Sequence, residues 1–253
     1  MKLIIAADDF GFSRAFSLGL IQACKFGIAR TAGLMVNMPA AEFALELRKK
    51  EMPDLCLVLH TNFVQGLPCS PPDSIPSLVD EQGRFRRSGE YKTGRYQISY
   101  PDALRETNAQ IERFRDLTGE YPLHIEIHSV QSDEITAALR DAALRYGLHY
   151  IELDGQPQKG YLSAVDRLDY GDIINRGAKP EDFFEDRYGL LNSSDEIRVL
   201  HFHPGYIDQY LLDNTSLTLP RCKDLETLCD KRVRNWLEEH HLDLVDYRYL
   251  KQP

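Results

Sequence analysis

Short apolar runs alternate with amphipathic stretches along this chain. The runs with the composition of buried strands are 2–7, 31–36, 55–59, 122–127, 150–152, 197–201 and 244–247. The stretches with helical periodicity are 13–26, 40–50, 101–117, 132–146, 180–191, 224–229 and 232–240. Alternating strands and helices build parallel sheets, so the pattern predicts an α/β fold. About seven such units favour an irregular, TIM-barrel-like (β/α) barrel over an open sheet.

One segment, at about 64–100, breaks this alternation. It is rich in proline and glycine and has no clear period. Long irregular segments in compact domains usually serve function, so we expect a loop excursion across the mouth of the barrel. No repeat or linker divides the chain, and residues 1–253 are predicted to form a single domain.

Four of the apolar runs stop at carboxylates or imidazoles. The first ends in Asp8-Asp9, the third in His60, the fourth in His128, and the run at 197–201 ends in His201-Phe202-His203. Because the carboxyl ends of parallel strands meet at one edge, these side chains are expected to converge there.

Each of these positions also has a structural interpretation. Adjacent residues of a strand point to opposite sides, so one of Asp8 and Asp9 could bind metal while the other faces a reacting water. Alternatively, both are turn or cap residues ahead of the following helix. Pro204-Gly205 predicts a turn that holds His203 at its tip, which favours His203 for function. His201 lies nearer the core, and we interpret it as structural.

Taken together, the positions offer one carboxylate and two imidazoles as metal ligands, with a carboxylate and an imidazole to spare. Such a ligand set leaves coordination positions open for water and substrate. The spare groups can take and give protons. The pattern therefore indicates metal-assisted hydrolysis of an amide or ester.

The charge and composition of the chain argue against some classes of binding partner. A formal charge of −9 and a pI near 5.4 argue against nucleic acid and anionic membranes. No apolar stretch approaches the ~20 residues of a membrane span, and no signal peptide is visible. Five cysteines without a CxxC pair indicate reduced thiols. These features predict a cytoplasmic protein.

Several motifs, in this order and spacing, resemble the YdjC-like carbohydrate deacetylases, which include the chitooligosaccharide (chitobiose) deacetylases. The matching segments are 7–11 (ADDFG), 34–40 (LMVNMPA), 59–62 (LHTN), 76–80 (PSLVD), 124–128 (HIEIH), 203–205 (HPG) and 218–221 (TLPR). The resemblance implies a distorted (β/α) barrel related to the polysaccharide deacetylases. It also implies removal of an N-acetyl group from a small amino sugar or short oligosaccharide.

The resemblance further implies roles for individual residues. Asp9, His60 and His128 resemble the ligands of one divalent metal ion, Mg²⁺ or Zn²⁺. Asp8 resembles the general base, and His203 the general acid or oxyanion partner. Two imidazole ligands favour zinc on chemical grounds.

Three further residues are expected to bind substrate. They are Asn62, Arg221 and Tyr91, the last as one of several loop tyrosines that could stack on a sugar ring.

One stretch departs from the family pattern. The family commonly has His-x-Asp-Ser-His followed by further histidines, whereas this chain has Glu126 and Ile127 before His128, and Ser129-Val130-Gln131-Ser132 after it. We expect these positions to shape the surroundings of the metal or the substrate groove.

Three other functions stay open at this point. A metal-dependent phosphoesterase or other hydrolase acting on a sugar phosphate could use Arg14, Arg105 or Arg221. A sugar-binding protein would have purely structural histidines. A family member without activity would bind metal and not turn over. Self-association into a homo-oligomer also stays open.

Overall fold

The computed structural model describes residues 1–151, 160–166, 171–191 and 193–251. Its strands are β1 (Lys2–Phe10), β2 (Thr31–Leu34), β3 (Cys56–Thr61), β4 (Ile125–Ile127), β5 (Val165–Asp166), β6 (Ile197–Phe202) and β7 (Asp243–Val245). Its helices are α1 (Arg14–Lys25), α2 (Ala41–Glu51), α3 (Ser88–Lys92), α4 (Tyr100–Thr118), α5 (Asp133–Tyr146), α6 (Gly171–Arg176), α7 (Pro180–Phe184), α8 (Gln209–Asn214), α9 (Leu219–Cys229) and α10 (Lys231–Glu239).

Strand β1 is the centre of the sheet. The order is β4-β3-β2-β1-β6-β5, and β7 pairs with the start of β1. Every pairing between these strands is parallel. The sheet therefore curls into the irregular (β/α) barrel that the alternating pattern predicts, with all strand carboxyl ends at one mouth.

The two faces of β1 pack against different cores. Leu3, Ile5 and Ala7 join the large core beneath the helices, whereas Ile4 and Ala6 join a smaller core inside the barrel. The same two-residue alternation in β6 places Ile197 and Val199 inside and Leu200 and Phe202 outside. Side chains that follow the inner series at the strand ends therefore point into the barrel mouth.

The helix ends follow the capping signals in the sequence. The Ser13, Ser99 and Ser132 hydroxyls each accept a hydrogen bond from a backbone N–H in the first turn of α1, α4 and α5. Gly119 and Gly147 end α4 and α5 in the left-handed conformation that glycine adopts without strain.

Several predicted elements differ from the structure. Tyr150 and Ile151 are not in a strand, and Glu152 lies outside the described residues; the fifth strand is instead Val165–Asp166. The helix expected over 180–191 ends at Phe184, and α8 was not predicted. Short elements carry too few residues to show a period.

The segment 64–99 has more structure than its sequence indicates. It contains a 3-10 turn at Pro72–Ser74, an antiparallel bridge between Val79 and Phe85, and helix α3. The tight turn between the bridged residues uses Gly83 at φ 71°, a conformation that favours glycine.

No helix in the described part of the chain is long and apolar enough to cross a membrane.

Candidate active site

A cavity of about 620 Å³ opens at the carboxyl ends of the strands. The ends of β1, β3, β4 and β6 supply its base, and the segments 65–92 and 214–217 supply its walls. A larger groove of about 960 Å³ lies near the opposite strand ends, between α2 and α4. The predicted catalytic groups lie in the first cavity, which is therefore the candidate active site.

Asp9, His60 and His128 converge at the base of this cavity. Asp9 Oδ1 lies 2.9 Å from His128 Nδ1 and 3.3 Å from His60 Nε2. The two imidazole nitrogens are 3.2 Å apart. Three ligand atoms so close together fit one ion with bonds of about 2.0–2.2 Å. These side chains are the three that the resemblance implies as metal ligands.

Asp8 and Asp9 both line this cavity, contrary to the expectation that they point to opposite sides. Asp9 has φ 68°, and the pairing of β1 with β2 shifts register between Ala7 and Phe10. Such a bulge re-aims side chains. Regular strand alternation does not hold there, so the expectation was wrong.

The Asp9 carboxylate is held by a buried arginine. Arg221 Nη1 lies 2.8 Å from Asp9 Oδ2, and the guanidinium is almost completely buried. Although burial alone would raise the pKa of Asp9, His128 and Arg221 lower it well below the usual range. Asp9 is therefore a carboxylate that is ionised and fixed in orientation.

Asp8 is held from the other side by His201. The Nδ1–H of His201 donates to Asp8 Oδ2 at 3.0 Å, and its Nε2–H donates to Asp166 Oδ2 at 3.0 Å. Two carboxylate acceptors on one imidazole indicate that both nitrogens carry protons. Asp8 Oδ1 has no hydrogen-bond partner.

The titration of this pair follows from the geometry. Burial would lower the pKa of His201, but Asp166 and Asp8 raise it well above the ordinary value. Burial would raise the pKa of Asp8, but His201 and His60 lower it. His201 is therefore a buried imidazolium that holds Asp8 in place, and its interpretation as a structural residue stays a prediction.

His60 sits between the two groups. Its Nδ1 lies 3.0 Å from Glu126 Oε1 and its Nε2 faces Asp9 and His128. Despite burial, Asp8, Asp9 and Glu126 raise the pKa of His60 to about 10. These carboxylates favour a positive charge at His60, and a cation bound at Nε2 would take the place of the proton there.

His203 lies at the cavity as a neutral imidazole. Burial lowers its pKa to about 4, and its Nδ1 has no hydrogen-bond partner. Its backbone N–H donates to Asp224 Oδ2 at 2.9 Å, which anchors the turn predicted from Pro204-Gly205. A neutral imidazole can form hydrogen bonds with a substrate, but it is too weak an acid to protonate a leaving group.

Two of the expected substrate-binding residues have other contacts. The Asn62 side chain is fully buried and binds Asn37, Val64 and Gln65, which organises the start of the 64–99 segment. The Tyr91 hydroxyl donates to the backbone carbonyls of Ser77 and Leu78. Neither residue lines the cavity, and substrate binding by either one stays a prediction.

Arg221, the third residue of that set, does line the cavity. Its described polar contacts are with Asp9 and the Leu217 carbonyl. It therefore fixes the Asp9 carboxylate, and its contact with a substrate stays a prediction.

The sequence predicted that Glu126 shapes the surroundings of the metal or the substrate groove, but it indicated no role at the site for Asp166 or His201. The signal for His201 and Glu126 was the strand alternation itself, because both follow inward-facing positions. Asp166 lies on a two-residue strand in a part of the chain without a visible period. Nothing in the local sequence indicates it.

A family model described as YdjC-like protein matches residues 2–239. The chain belongs to this family. One relative, carbohydrate deacetylase 2 of Listeria innocua serovar 6a, is 32% identical over 98% of each chain. The similarity to this relative therefore extends over nearly the whole length of the chain.

Two solved structures resemble the fold. A protein of Enterococcus faecalis V583 named for cellobiose-phosphate cleavage superposes with a TM-score of 0.86 at 23% identity, over 99% of each chain. A family 4 carbohydrate esterase of Streptomyces lividans, solved with acetate, has a TM-score of 0.52 at 11% identity, over 100% of this chain and 96% of the other. This chain therefore shares its barrel fold with a family 4 carbohydrate esterase.

Proposed function

We propose that this chain is a metal-dependent carbohydrate deacetylase. Its substrate would be an N-acetylated amino sugar or a short, chitobiose-like oligosaccharide, phosphorylated or not, and the reaction would release acetate. The observation that carries the proposal is the convergence of Asp9, His60 and His128 beside a carboxylate, Asp8, that has an unpaired oxygen. Membership of a family whose relatives are named carbohydrate deacetylases supports it.

The site has the charge and donor set for one divalent cation. Its base holds the carboxylates of Asp8, Asp9, Glu126 and Asp166, and two cations, Arg221 and His201, oppose them. Two negative charges are left over when the remaining histidines are neutral, and a divalent ion balances them. Two imidazole nitrogens and one carboxylate oxygen favour zinc over magnesium.

A divalent ion held by Asp9, His60 and His128 would polarise the acetyl carbonyl and lower the pKa of a water molecule. Asp8 Oδ1 accepts the proton of the attacking water, while His201 fixes the other oxygen of that carboxylate. Asp8 then returns this proton to the leaving amine. Neutral His203 hydrogen-bonds to the developing oxyanion, which is the second of the two roles expected for it.

The geometry gives the phosphoesterase alternative less support. Of its three arginines, Arg14 stacks over Phe43, Arg105 bonds to the Ser74 carbonyl, and Arg221 is paired with Asp9. Phosphate chemistry usually needs free cations or a second metal ion beside the reacting group. Each of these arginines already has a protein partner.

Acetate release tests the proposal directly. The enzyme is stripped of metal, reloaded separately with zinc and magnesium, and given N,N′-diacetylchitobiose and its 6-phosphate. We expect metal-dependent acetate release with at least one substrate. Absence of acetate from protein that binds metal would overturn the proposal, and phosphate release in its place would favour the phosphoesterase.

The role of Asp8 is tested in the same assay. Asp8→Asn should bind zinc and lose about 10²–10⁴-fold in kcat, the usual contribution of general acid–base catalysis. Asp54→Asn, at an exposed position, is the matched control and should behave as wild type. Retained turnover in Asp8→Asn would exclude Asp8 as the base.

A further inference from the structure

The inner layer at the barrel mouth has one position without a side chain. The residues of this layer are Asp8, Gly33, His60, Glu126, Asp166 and His201, one from each of β1 to β6. Gly33 lies between Ala32 and Leu34, whose side chains join the outer core. Gly33 therefore faces inward among the charged groups.

The Glu126 carboxylate occupies the space over Gly33. A Cβ built on residue 33 would lie 2.6 Å from Glu126 Oε1, 3.2 Å from His60 Cβ and 3.3 Å from Asp8 Oδ1. Real Cβ atoms do not approach oxygen to 2.6 Å, so any side chain at residue 33 would displace this carboxylate. The backbone of Gly33 is not in the left-handed region, so space rather than conformation requires glycine here.

Glu126 holds His60 by the nitrogen that faces away from the ligand cluster. The Nδ1–H of His60 donates to Oε1 at 3.0 Å, which leaves Nε2 directed at Asp9 and His128. The other carboxylate oxygen, Oε2, lies 3.5 Å from the Tyr247 hydroxyl and 3.8 Å from His201 Nδ1. Both carboxylate oxygens of Glu126 thus have partners, and a Cβ at residue 33 would push Oε1 away from His60.

We propose that Glu126 and Gly33 form a coupled pair that positions His60. The longer acid at residue 126 reaches His60 only because residue 33 has no side chain, and its carboxylate selects the tautomer with Nε2 free for metal. This inference rests on the proposed function, since it treats His60 as a metal ligand. Carboxylates behind metal-bound histidines commonly change metal affinity by 10–100-fold.

A double-mutant cycle read out by zinc affinity tests the coupling. Gly33→Ala, Glu126→Asp and the double variant are titrated with zinc against a chromophoric chelator. We expect Gly33→Ala to weaken zinc binding about 10–100-fold in the wild-type background. In the Glu126→Asp background, where the shorter acid leaves room for a methyl group, its effect should fall below about threefold.

Two controls keep the result specific. Gly89→Ala, at an exposed glycine with no atom within 4 Å of the added Cβ, should leave zinc affinity unchanged. Circular dichroism and urea unfolding establish that each variant folds. Should Gly33→Ala not fold, the zinc affinities of Glu126→Gln and Glu126→Asp provide the test, because loss or retreat of the carboxylate behind His60 should weaken zinc binding about 10–100-fold.

The outcomes separate this inference from the function. Equal effects of Gly33→Ala in both backgrounds, or an unchanged zinc affinity in both Glu126 variants, would overturn the coupling while leaving the deacetylase intact. Failure of wild-type protein to bind zinc or to release acetate would instead overturn the proposed function.

Discussion

At the scale of single residues, the site depends on positions where the backbone or the protonation state is unusual. Asp9 is a buried non-glycine residue with φ 68°, a conformation that costs about 1–3 kcal/mol and is concentrated at functional sites. His201 is a buried imidazolium between two carboxylates. Both features orient a carboxylate of the Asp8-Asp9 pair.

The charge of His201 gives a pH-dependent prediction. A raised pKa stabilises the folded state fully below the unfolded value of about 6.5, and this contribution is lost as pH rises toward the folded pKa. In chelator, the difference in free energy of unfolding between wild type and His201→Gln should therefore shrink as pH rises above about 6.5. Urea unfolding at several pH values measures it.

The control for this prediction is Gln82→Ala, which changes an exposed residue without an ionisable side chain. Its difference from wild type should not change with pH in this way. A pH-independent difference for His201→Gln would show that His201 is not held as an imidazolium.

At the scale of elements, two connections shape the cavity. The turn after β6 carries His203 and packs Gly205 against Phe16 of α1. The segment 64–99 forms a wall of the cavity. Within this segment, Arg87 donates to Gln65 Oε1 at 2.7 Å. Arg87 also ties the segment to α8, because it donates to the Asn214 carbonyl at 2.8 Å. The first connection is a close steric fit and the second is a set of hydrogen bonds.

Gly205→Ala should disturb the turn that carries His203. Its Cβ would overlap the fully buried Phe16 ring, which has no space to move. Overpacking of this kind costs about 1–3 kcal/mol in the free energy of unfolding. Urea unfolding provides the value, and Gly89→Ala should be neutral or slightly stabilising. Equal stability of the two variants would contradict the steric argument.

Arg87→Met should loosen the cavity wall without touching the ligand cluster. Losing hydrogen bonds worth about 1 kcal/mol each predicts a KM about three- to tenfold higher for the chitobiose substrate, with little change in kcat or zinc affinity. Steady-state acetate release measures both constants, and Arg84→Met at an exposed position is the control. A lower kcat with unchanged KM would place Arg87 in the chemical step instead.

At the scale of the whole molecule, the site concentrates negative charge at the centre of the barrel mouth. Asp8, Asp9 and Glu126 are all nearly inaccessible to solvent. Burying carboxylates is costly unless cations balance them. The folded state should therefore be stabilised by a divalent ion.

Metal removal should lower the thermal stability of the protein. At a zinc concentration about 100 times Kd, binding contributes about 2.7 kcal/mol, which corresponds to roughly 5–10 °C in Tm for a chain of this size. Differential scanning calorimetry with chelator, zinc and magnesium measures the shift, and Asp9→Asn should abolish it. An unchanged Tm with every metal would contradict the proposed cation site.

The barrel and the ends of its strands follow from local patterns in the sequence. Continuous apolar runs, separated by capped amphipathic helices, permit few arrangements other than a parallel sheet. Because parallel strands end at one edge, Asp8, Asp9, His60, His128 and His203 could be placed together from local patterns alone.

The orientation and the partners of those groups depend on tertiary contacts. The bulge that turns Asp9 toward Asp8, the clamp of His201 by Asp166, and the space over Gly33 that admits Glu126 each join residues far apart in the chain. Asn62 and Tyr91 have motif or loop positions that indicate substrate contact, yet their polar groups satisfy backbone partners. The physical reason is the same in each case: burial requires every polar atom to find a partner, and that partner is fixed by packing rather than by local sequence.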